Sequence, residues 1–230
     1  MKKTTAILLG LFCLLFAVAA LAAPAEDLTE RCSFRSGSGR DSLAQCHDRR
    51  YKTHWQSSGG KGAWLEITLP EGVTTLGKNA FALSGLERIT LPAGLTAIGD
   101  GCFAYTPLEA AELPEGLSTI GAEAFVGCDG LEQMVIPAGV TELPGKLFAG
   151  CSRLRSVTLP EGLLRIGSSA FMLCGSDRDP LRLNLPATLE FIAGDAFLYC
   201  EACIHAEVIP GTVGEGFVQE KNISHTYREN

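Results

Sequence analysis

Apolar positions recur in one fixed pattern from residue 64 to about residue 210. Each unit has the form Leu-x-x-apolar-x-Leu-Pro, followed by Gly-apolar-x-x-Ile-Gly-x-x-Ala-Phe. Apolar residues two apart, as at Ile89 and Leu91, are typical of a short strand with one buried face. A second apolar group, such as Leu163 and Ile166, indicates a second short buried segment. The pattern therefore predicts a series of similar units, each with two apolar arcs.

Prolines and phenylalanines mark the units. The prolines lie 22 to 26 residues apart, at Pro70, Pro92, Pro114, Pro137, Pro160, Pro186 and Pro210. Six phenylalanines each follow the preceding proline by 11 residues, at Phe81, Phe103, Phe125, Phe148, Phe171 and Phe197. Periods of this length indicate stacked repeats. Because one unit cannot bury both of its arcs alone, neighbouring units are expected to bury them against each other.

Local signals indicate how each unit turns and how the series ends. The proline ends the first strand, since it has no N–H for a ladder hydrogen bond. Ser168-Ser169 has the residue type of a helix start, which predicts one short helical turn around Ala170-Phe171. After Pro210 the repeat pattern stops, and residues 211–230 predict one short helix and a final extended piece. Its expected role is to cover the last exposed face of the core.

The repeats resemble the leucine-rich repeats of BspA-like bacterial surface proteins. The match rests on the Leu-x-x-Ile-x-Leu-Pro strands and the Ile-Gly-x-x-Ala-Phe-x-x-Cys turns. The resemblance implies an α/β repeat fold, namely a right-handed solenoid with concave parallel strands, short helical turns and terminal caps. It also implies a secreted or cell-surface protein that binds or adheres to other molecules and is not an enzyme.

The amino terminus has the features of a secretory signal peptide. Lys2 and Lys3 precede an apolar run from Ala6 to Leu21, with small residues at Ala20 and Ala22. The chain is therefore divided into a signal peptide (1–22), an amino-terminal segment (23–63), the solenoid (64–210) and a closing segment (211–230). The solenoid comprises six repeats and a partial seventh. Cleavage of residues 1–22 would leave a secreted or surface-bound chain.

Residues 23–63 allow two interpretations. Asp48 to Trp55, followed by "AWLEITLP", resembles the front of discoidin-like (factor 5/8 type C) domains, with Arg49 in place of the usual glycine. That resemblance implies a carbohydrate-binding accessory protein acting through this segment. The segment has only about a third of the length of such a domain. The other interpretation is an amino-terminal cap, in which Trp55 and Trp64 cover the first repeat.

The charge of the repeats limits the possible partners. The chain has a formal net charge of −7, and residues 63–230 carry ten Lys/Arg against twenty-one Asp/Glu. An acidic surface of this kind repels nucleic acid and anionic lipid. The sequence thus predicts no nucleic-acid partner and no membrane insertion of the mature chain.

Nine cysteines in an exported chain raise the question of disulfides. Four of them lie three residues after the repeat Phe, at Cys128, Cys151, Cys174 and Cys200. A shared phase predicts a stacked column of buried thiols, since reduced cysteine packs as a small apolar residue. Cys102, directly before Phe103, is interpreted in the same way. Cys32 and Cys46 lie outside the repeats and could form a disulfide.

Motifs for catalysis or for cofactors are absent from the sequence. Cys200 and Cys203 form a Cys-x-x-Cys near His205, which could be a redox pair or half of a zinc site, but no second such pair offers the remaining ligands. The chain contains no His-Glu-x-x-His and no Gly-x-Ser-x-Gly. We therefore expect no enzymatic activity, no cofactor and no metal.

The outward positions of the strands are the candidate binding residues. Strand alternation places two rows of small and polar side chains on the expected concave sheet. Their partner is expected to be an extracellular protein of a host or of the cell envelope, with a glycan as the alternative. The insertion "GSDRDP", residues 175–180, is a further candidate. The candidate residues of the rows are Glu66, Arg88, Thr90, Glu112, Gln133, Ser156, Thr158, Arg182 and Asn184.

Overall fold

The chain forms a solenoid of about seven turns built from short parallel strands. The computed structural model describes residues 33–36, 65–176 and 178–229. The predicted signal peptide, Cys32, Cys46 and both tryptophans lie outside these ranges. In chain order the strands are β1 (Ser33–Ser36), β2 (Leu65–Thr68), β3 (Thr75–Leu76), β4 (Leu86–Thr90), β5 (Ala97–Ile98), β6 (Ala110–Ala111), β7 (Thr119–Ile120), β8 (Gln133–Val135), β9 (Glu142–Leu143), β10 (Ser156–Thr158), β11 (Arg165–Ile166), β12 (Leu181–Asn184), β13 (Phe191–Ile192), β14 (Ile204–Val208) and β15 (Ser224–Tyr227).

Each turn contributes one strand to a main ladder and one shorter strand to a second ladder. The main ladder consists of two sheets, in the orders β1-β2-β4-β6 and β8-β10-β12-β14-β15, and the second of β3-β5-β7 and β9-β11-β13. All pairs are parallel except that of β1 with β2, which is antiparallel. The Leu-x-x-apolar-x-Leu-Pro pattern therefore gives the parallel strands that were predicted from it.

The segment between the second strand and the next main strand is not a helix. Its backbone forms hydrogen bonds with the same segment of the next turn, and we call this series of bonds the turn ladder. In the first turn the N–H groups of Asn79, Phe81 and Leu83 donate to carbonyls of the next turn at 2.8, 2.7 and 2.7 Å. The predicted helical turn around Ala170-Phe171 is not formed. Ser169 and Leu173, on either side of it, have φ of 55° and 58°, and residues in the left-handed region cannot continue a right-handed helix.

Both strand ladders stop at the same step, between the third and fourth turns. Pro144 occupies the position held by Gly121 and Gly167, whose N–H groups donate to the preceding turn at 2.7 and 2.8 Å. Proline has no N–H to offer there. Ala193 holds the same position and donates to Ile166 at 2.9 Å despite its Cβ. The missing donor of Pro144 therefore accounts for one of the hydrogen bonds that are absent from the second ladder at this step.

The core passes through this step without interruption. The repeat phenylalanines form a column with ring centroids 5.2 to 5.7 Å apart and interplanar angles of 4° to 22°. The N–H of Phe125 also donates to the carbonyl of Leu147 at 3.0 Å, so the turn ladder crosses the break. Side-chain stacking and the turn ladder hold the two halves together where the strands do not pair.

The last turn is followed by the helix and the extended piece predicted from the sequence. Helix α1 spans Val213–Glu220, and Thr212 caps it by accepting a hydrogen bond from the N–H of Glu215. Phe217 lies 5.6 Å from Phe197, at the end of the phenylalanine column. Strand β15 then pairs in parallel with β14. A short 3-10 helix, Glu201–Cys203, precedes β14.

Candidate binding face

The strand register aligns the predicted outward residues. Glu66 lies beside Arg88 on the neighbouring strand, and Arg88 lies beside Ala110. Beyond the break, Gln133, Ser156 and Arg182 are aligned in the same way. The second row aligns Thr68 with Thr90, Val135 with Thr158, and Asn184 with Glu207. We call this surface, formed by the outward residues of the main ladder, the strand face.

Most of the predicted residues are accessible on the strand face. Glu66, Ser156 and Asn184 are half-buried, whereas the remainder are exposed: Arg88, Thr90, Glu112, Gln133, Thr158 and Arg182. The Asn184 amide is already engaged, because it accepts from the N–H of Leu159 and donates to the carbonyl of Leu159, both at 2.9 Å. Asn184 therefore joins β10 to β12, and a ligand would have to compete with that bridge.

Ion pairs neutralise several charges beside the rows. Arg88 contacts Glu109 at 3.2 Å, and Arg153 contacts Glu132 at 2.7 Å. Within the described residues, Arg182 makes no ion pair. Of the two arginines in the rows, Arg182 is therefore the one that no described acidic side chain neutralises. Exposed pairs of this kind contribute little to stability, about 0 to 1 kcal/mol each.

A groove lies on the strand face where β6 and β8 do not pair. Its volume is about 610 Å³, and its walls include Glu109, Glu112, Glu132, Gln133, Val135 and Arg153. Val135 is 64% exposed. The groove thus combines an exposed apolar side chain with carboxylates and one arginine, and it interrupts an otherwise regular surface.

Each Leu-x-x-apolar segment has two x positions that face outward. Strand alternation identified the second of them and missed the first. The groove walls Glu109 and Glu132 occupy the first x position, and Gln133 the second. The first x position is also charged in other turns, where it holds Glu87 and Arg155. Recurring charge at this position could have identified it as a surface position. The break of the second ladder has one local sign, the proline at residue 144, whereas the Leu-x-x-apolar pattern shows no sign of the break between β6 and β8, where the groove lies.

The repeat cysteines form the predicted buried column, with a hydrogen bond that was not expected from packing alone. The thiols of Cys151, Cys174 and Cys200 donate to the carbonyl of the Phe one turn back, at 3.1, 3.0 and 3.0 Å. Cys128 does the same at 3.2 Å. Burial raises the pKa of Cys128 to about 11 and that of Cys151 well above its usual range. The thiols are therefore protonated donors.

The first cysteine of the Cys-x-x-Cys segment is also part of the buried column. The Cys200 thiol belongs to the column, and burial raises its pKa to about 11. The ring of His205 lies on the strand face, 3.0 Å from the Ser224 hydroxyl and 3.3 Å from that of Thr226. Across the described ranges, no group of three or more His, Cys, Asp or Glu side chains is placed to hold a metal ion.

The "GSDRDP" insertion is held by contacts with its own turn. Asp179 lies 3.8 Å from Arg155, and its N–H donates to the Ser176 hydroxyl at 3.2 Å. Residue 177 lies outside the described residues. The insertion thus adds the exposed Arg178 beside the strand face.

The sequence comparison identifies the family. Residues 62–178 match the BspA type leucine-rich repeat region in six copies, so the chain belongs to the BspA-type leucine-rich repeat proteins. A comparison with curated protein sequences gave no match. The discoidin resemblance found no support in the comparisons. Of the residues that carry it, Asp48 to Trp55 lie outside the described ranges, whereas residues 65–70 form the first main strand of the solenoid and the residues after it.

Two solved structures are similar to this chain, and the first of them shares its fold. The pneumococcal vaccine antigen PcpA is 21% identical with a TM-score of 0.61, over 72% of this chain and 42% of PcpA. A leucine-rich repeat protein of Bacteroides ovatus is 22% identical with a TM-score of 0.49, over 70% of this chain and 44% of that one. The chain thus spans less than half the length of either protein. In the part that the structure describes, no helix has the length and apolarity needed to span a bilayer.

Proposed function

We propose that the chain is an exported, non-catalytic binding module that contacts an extracellular protein through the strand face. The aligned, accessible rows of polar side chains carry this proposal. They offer an extended surface across seven turns, which suits a macromolecule better than a small molecule because no described part of the chain encloses it. Membership of the BspA-type leucine-rich repeats, which typically act in binding or adhesion, supports it.

Export is part of the same proposal. The Lys-Lys start and apolar run of residues 1–22 support a signal peptide. The buried cysteines do not oppose it, because those thiols are free, buried and hydrogen-bonded to backbone carbonyls. We also propose that residues 23–63 and 211–230 act as the caps of the solenoid. The antiparallel pairing of β1 with β2 and the contact of Phe217 with Phe197 support these roles.

Charge reversal on the strand face tests the proposal. Partners are first captured by cross-linking the mature protein to host-cell surfaces and to cell-envelope extracts, and the Kd of each purified partner is then measured. The variant Arg88→Glu with Arg182→Glu is expected to weaken binding at least tenfold, since both arginines lie in the aligned rows. The control is Lys78→Glu with Arg165→Glu, two exposed cations off the strand face. Loss of binding in the control but not in the test variant would reject the strand face.

A further inference from the structure

A row of residues on the turn ladder has a backbone conformation that large side chains disfavour. The row occupies the second position after each repeat Phe, and every member has φ between 57° and 79°. Non-glycine residues rarely adopt such values, and bulky ones least of all. Glycine suits the position, as Gly127 and Gly150 show. The members of this turn row are Leu83, Tyr105, Gly127, Gly150, Leu173 and Tyr199.

Four of the six turns nevertheless place a large apolar side chain there, directed to solvent. Leu83, Tyr105, Leu173 and Tyr199 are each at least half exposed, and Tyr199 is 72% exposed. Their turns therefore accept both backbone strain and solvent exposure. Positive φ alone does not distinguish the row, because it recurs four residues earlier in the turns as part of the repeat. The distinguishing feature is the exposure of large apolar side chains at such positions.

Burial of the neighbouring apolar residues does not require a large side chain in every turn. Ala104, Val126 and Ala149 each directly precede a row residue and form a small apolar cluster. Ala149 is only 2% exposed although its neighbour in the row is Gly150. This member of the cluster is thus buried without a large row residue beside it.

The two glycines leave a notch in the row. A Cβ on Gly127 would lie 2.5 Å from the Tyr105 ring, so that ring lies across Gly127. Gly150 has only the backbone of Gly127 within 4 Å of its Cβ position. Among the described residues, no side chain therefore lies within 4 Å of the Cβ position of Gly150, which is flanked by the turn that the Tyr105 ring covers and by the turn of Leu173.

Charge and area restrict what can occupy this row. Polar residues lie four positions before several members of the turn row, and they interact in pairs. Lys146 contacts Glu123 at 3.0 Å, and the Ser169 hydroxyl donates to Asp195 at 3.1 Å. Lys146 neutralises Glu123, whereas Asp195 accepts from serine hydroxyls and keeps its negative charge, so the strip disfavours an acidic ligand. The strip is on the order of 25 Å long and about 10 Å wide. Its roughly 250 Å² is well below the ~800 Å² per partner of a stable dimer.

From these observations we propose that the turn row is a second binding site, and that it takes an extended protein segment of about eight residues with apolar side chains. Eight extended residues span about 26 Å, which matches the row. One apolar side chain of the segment enters the notch at Gly150, and others lie against Tyr105, Leu173 and Tyr199. The site is on the turn ladder and is separate from the strand face.

The test uses a phage-displayed library of random twelve-residue peptides, selected on the immobilised full chain. The enriched peptides should carry apolar residues at alternate positions. The variant Tyr105→Asn with Leu173→Asn should weaken the Kd of the best synthetic peptide at least tenfold. Asparagine tolerates the left-handed region, so the midpoint of thermal unfolding should stay the same or rise. The single variant Tyr199→Asn tests the same site and should weaken the Kd of this peptide less than the double variant does.

Matched controls separate this site from other exposed apolar residues and from the strand face. Val135→Asn and Phe191→Asn each remove an exposed apolar side chain elsewhere and should leave the Kd unchanged. Arg88→Glu with Arg182→Glu should also leave it unchanged, so that this proposal and the strand-face proposal can fail separately. The proposal is wrong if no apolar peptide is enriched, if the row variants bind normally, or if the row instead supports self-association or glycan binding.

Discussion

At the scale of single residues, the cysteine column links successive turns by hydrogen bonds as well as by packing. Each thiol donates to the Phe carbonyl of the preceding turn, and this satisfies a polar atom inside an apolar core. The sequence phase predicted burial of these residues correctly. It did not predict the donor role, because a spacing pattern carries no information about which carbonyl faces the sulfur.

The first prediction is that Cys128, Cys151 and Cys174 are reduced and react slowly with iodoacetamide in the native protein. The thiolate is the nucleophile, and burial raises the pKa of all three groups. Mass spectrometry of timed samples measures each site. Cys203 is the internal control, since it is only partly buried and should react earlier. A disulfide between any two column cysteines would contradict the stacked-thiol structure.

The same thiols predict a loss of stability at alkaline pH. Unfolded cysteines lose their protons near pH 8.5, whereas Cys128 and Cys200 keep theirs in the folded state until about pH 11. The unfolded state therefore binds fewer protons in this window, and the free energy of unfolding falls as pH rises from about 8.5. Urea titrations at pH 7.5 and 9.5 measure the fall. The variant Cys151→Ala should show a smaller fall, and an identical slope would argue against thiol burial.

The phenylalanine column gives a prediction of magnitude. Phe148 is completely buried between two stacked rings, so Phe148→Ala should reduce the free energy of unfolding by about 3–5 kcal/mol. Phe191→Ala is the matched control, because that ring is 42% exposed and the Arg165 guanidinium lies over it, 4.5 Å from the ring centroid. It should cost less than about 1 kcal/mol. Equal losses in the two denaturant titrations would contradict the burial of the column.

At the scale of elements, strand positions and turn conformations were not equally predictable. The Leu-x-x-apolar pattern located the main strands because buried side chains alternate along a strand. The segment around Ala170-Phe171 was predicted as helical from Ser168-Ser169, and this was wrong. Both serine hydroxyls instead donate to Asp195 of the next turn. Contacts with the next turn determine the conformation of this segment. The helix propensity of its own residues contains no information about those contacts.

Pro144 gives a prediction at this scale. Pro144→Ala restores the N–H that Gly121, Gly167 and Ala193 use to join successive turns. A new hydrogen bond stabilises by about 0.5–1.5 kcal/mol, but loss of proline frees the unfolded chain by about 0.4–1 kcal/mol. The net change in stability is therefore small, and hydrogen exchange is the better measurement. The new amide at residue 144 should be as protected as that of Gly167. A rapidly exchanging amide would mean that more than the missing donor separates β7 from β9.

At the scale of the whole molecule, the shared break of the strand ladders divides the solenoid into two halves joined by the Phe column and the turn ladder. The stability of stacked repeats is approximately the sum of the stability of each repeat and the free energy of contact between neighbouring repeats. The contact between the third and fourth turns has lost both strand ladders. It is therefore expected to be the weakest in the stack, although the apolar pattern along the sequence is as regular there as elsewhere.

The last prediction follows from that weak step. Phe103→Ala should unfold residues 65–131 at a urea concentration at which residues 134–229 remain protected, because destabilising one half is not fully transmitted across the break. Hydrogen exchange read by mass spectrometry along a urea series measures both halves in one sample. Phe171→Ala is the mirror control and should lower the protection of the second half first. If both variants lower the protection of all turns together, the core contact between Phe125 and Phe148 is strong enough to make the solenoid one cooperative unit, and the break has no thermodynamic consequence.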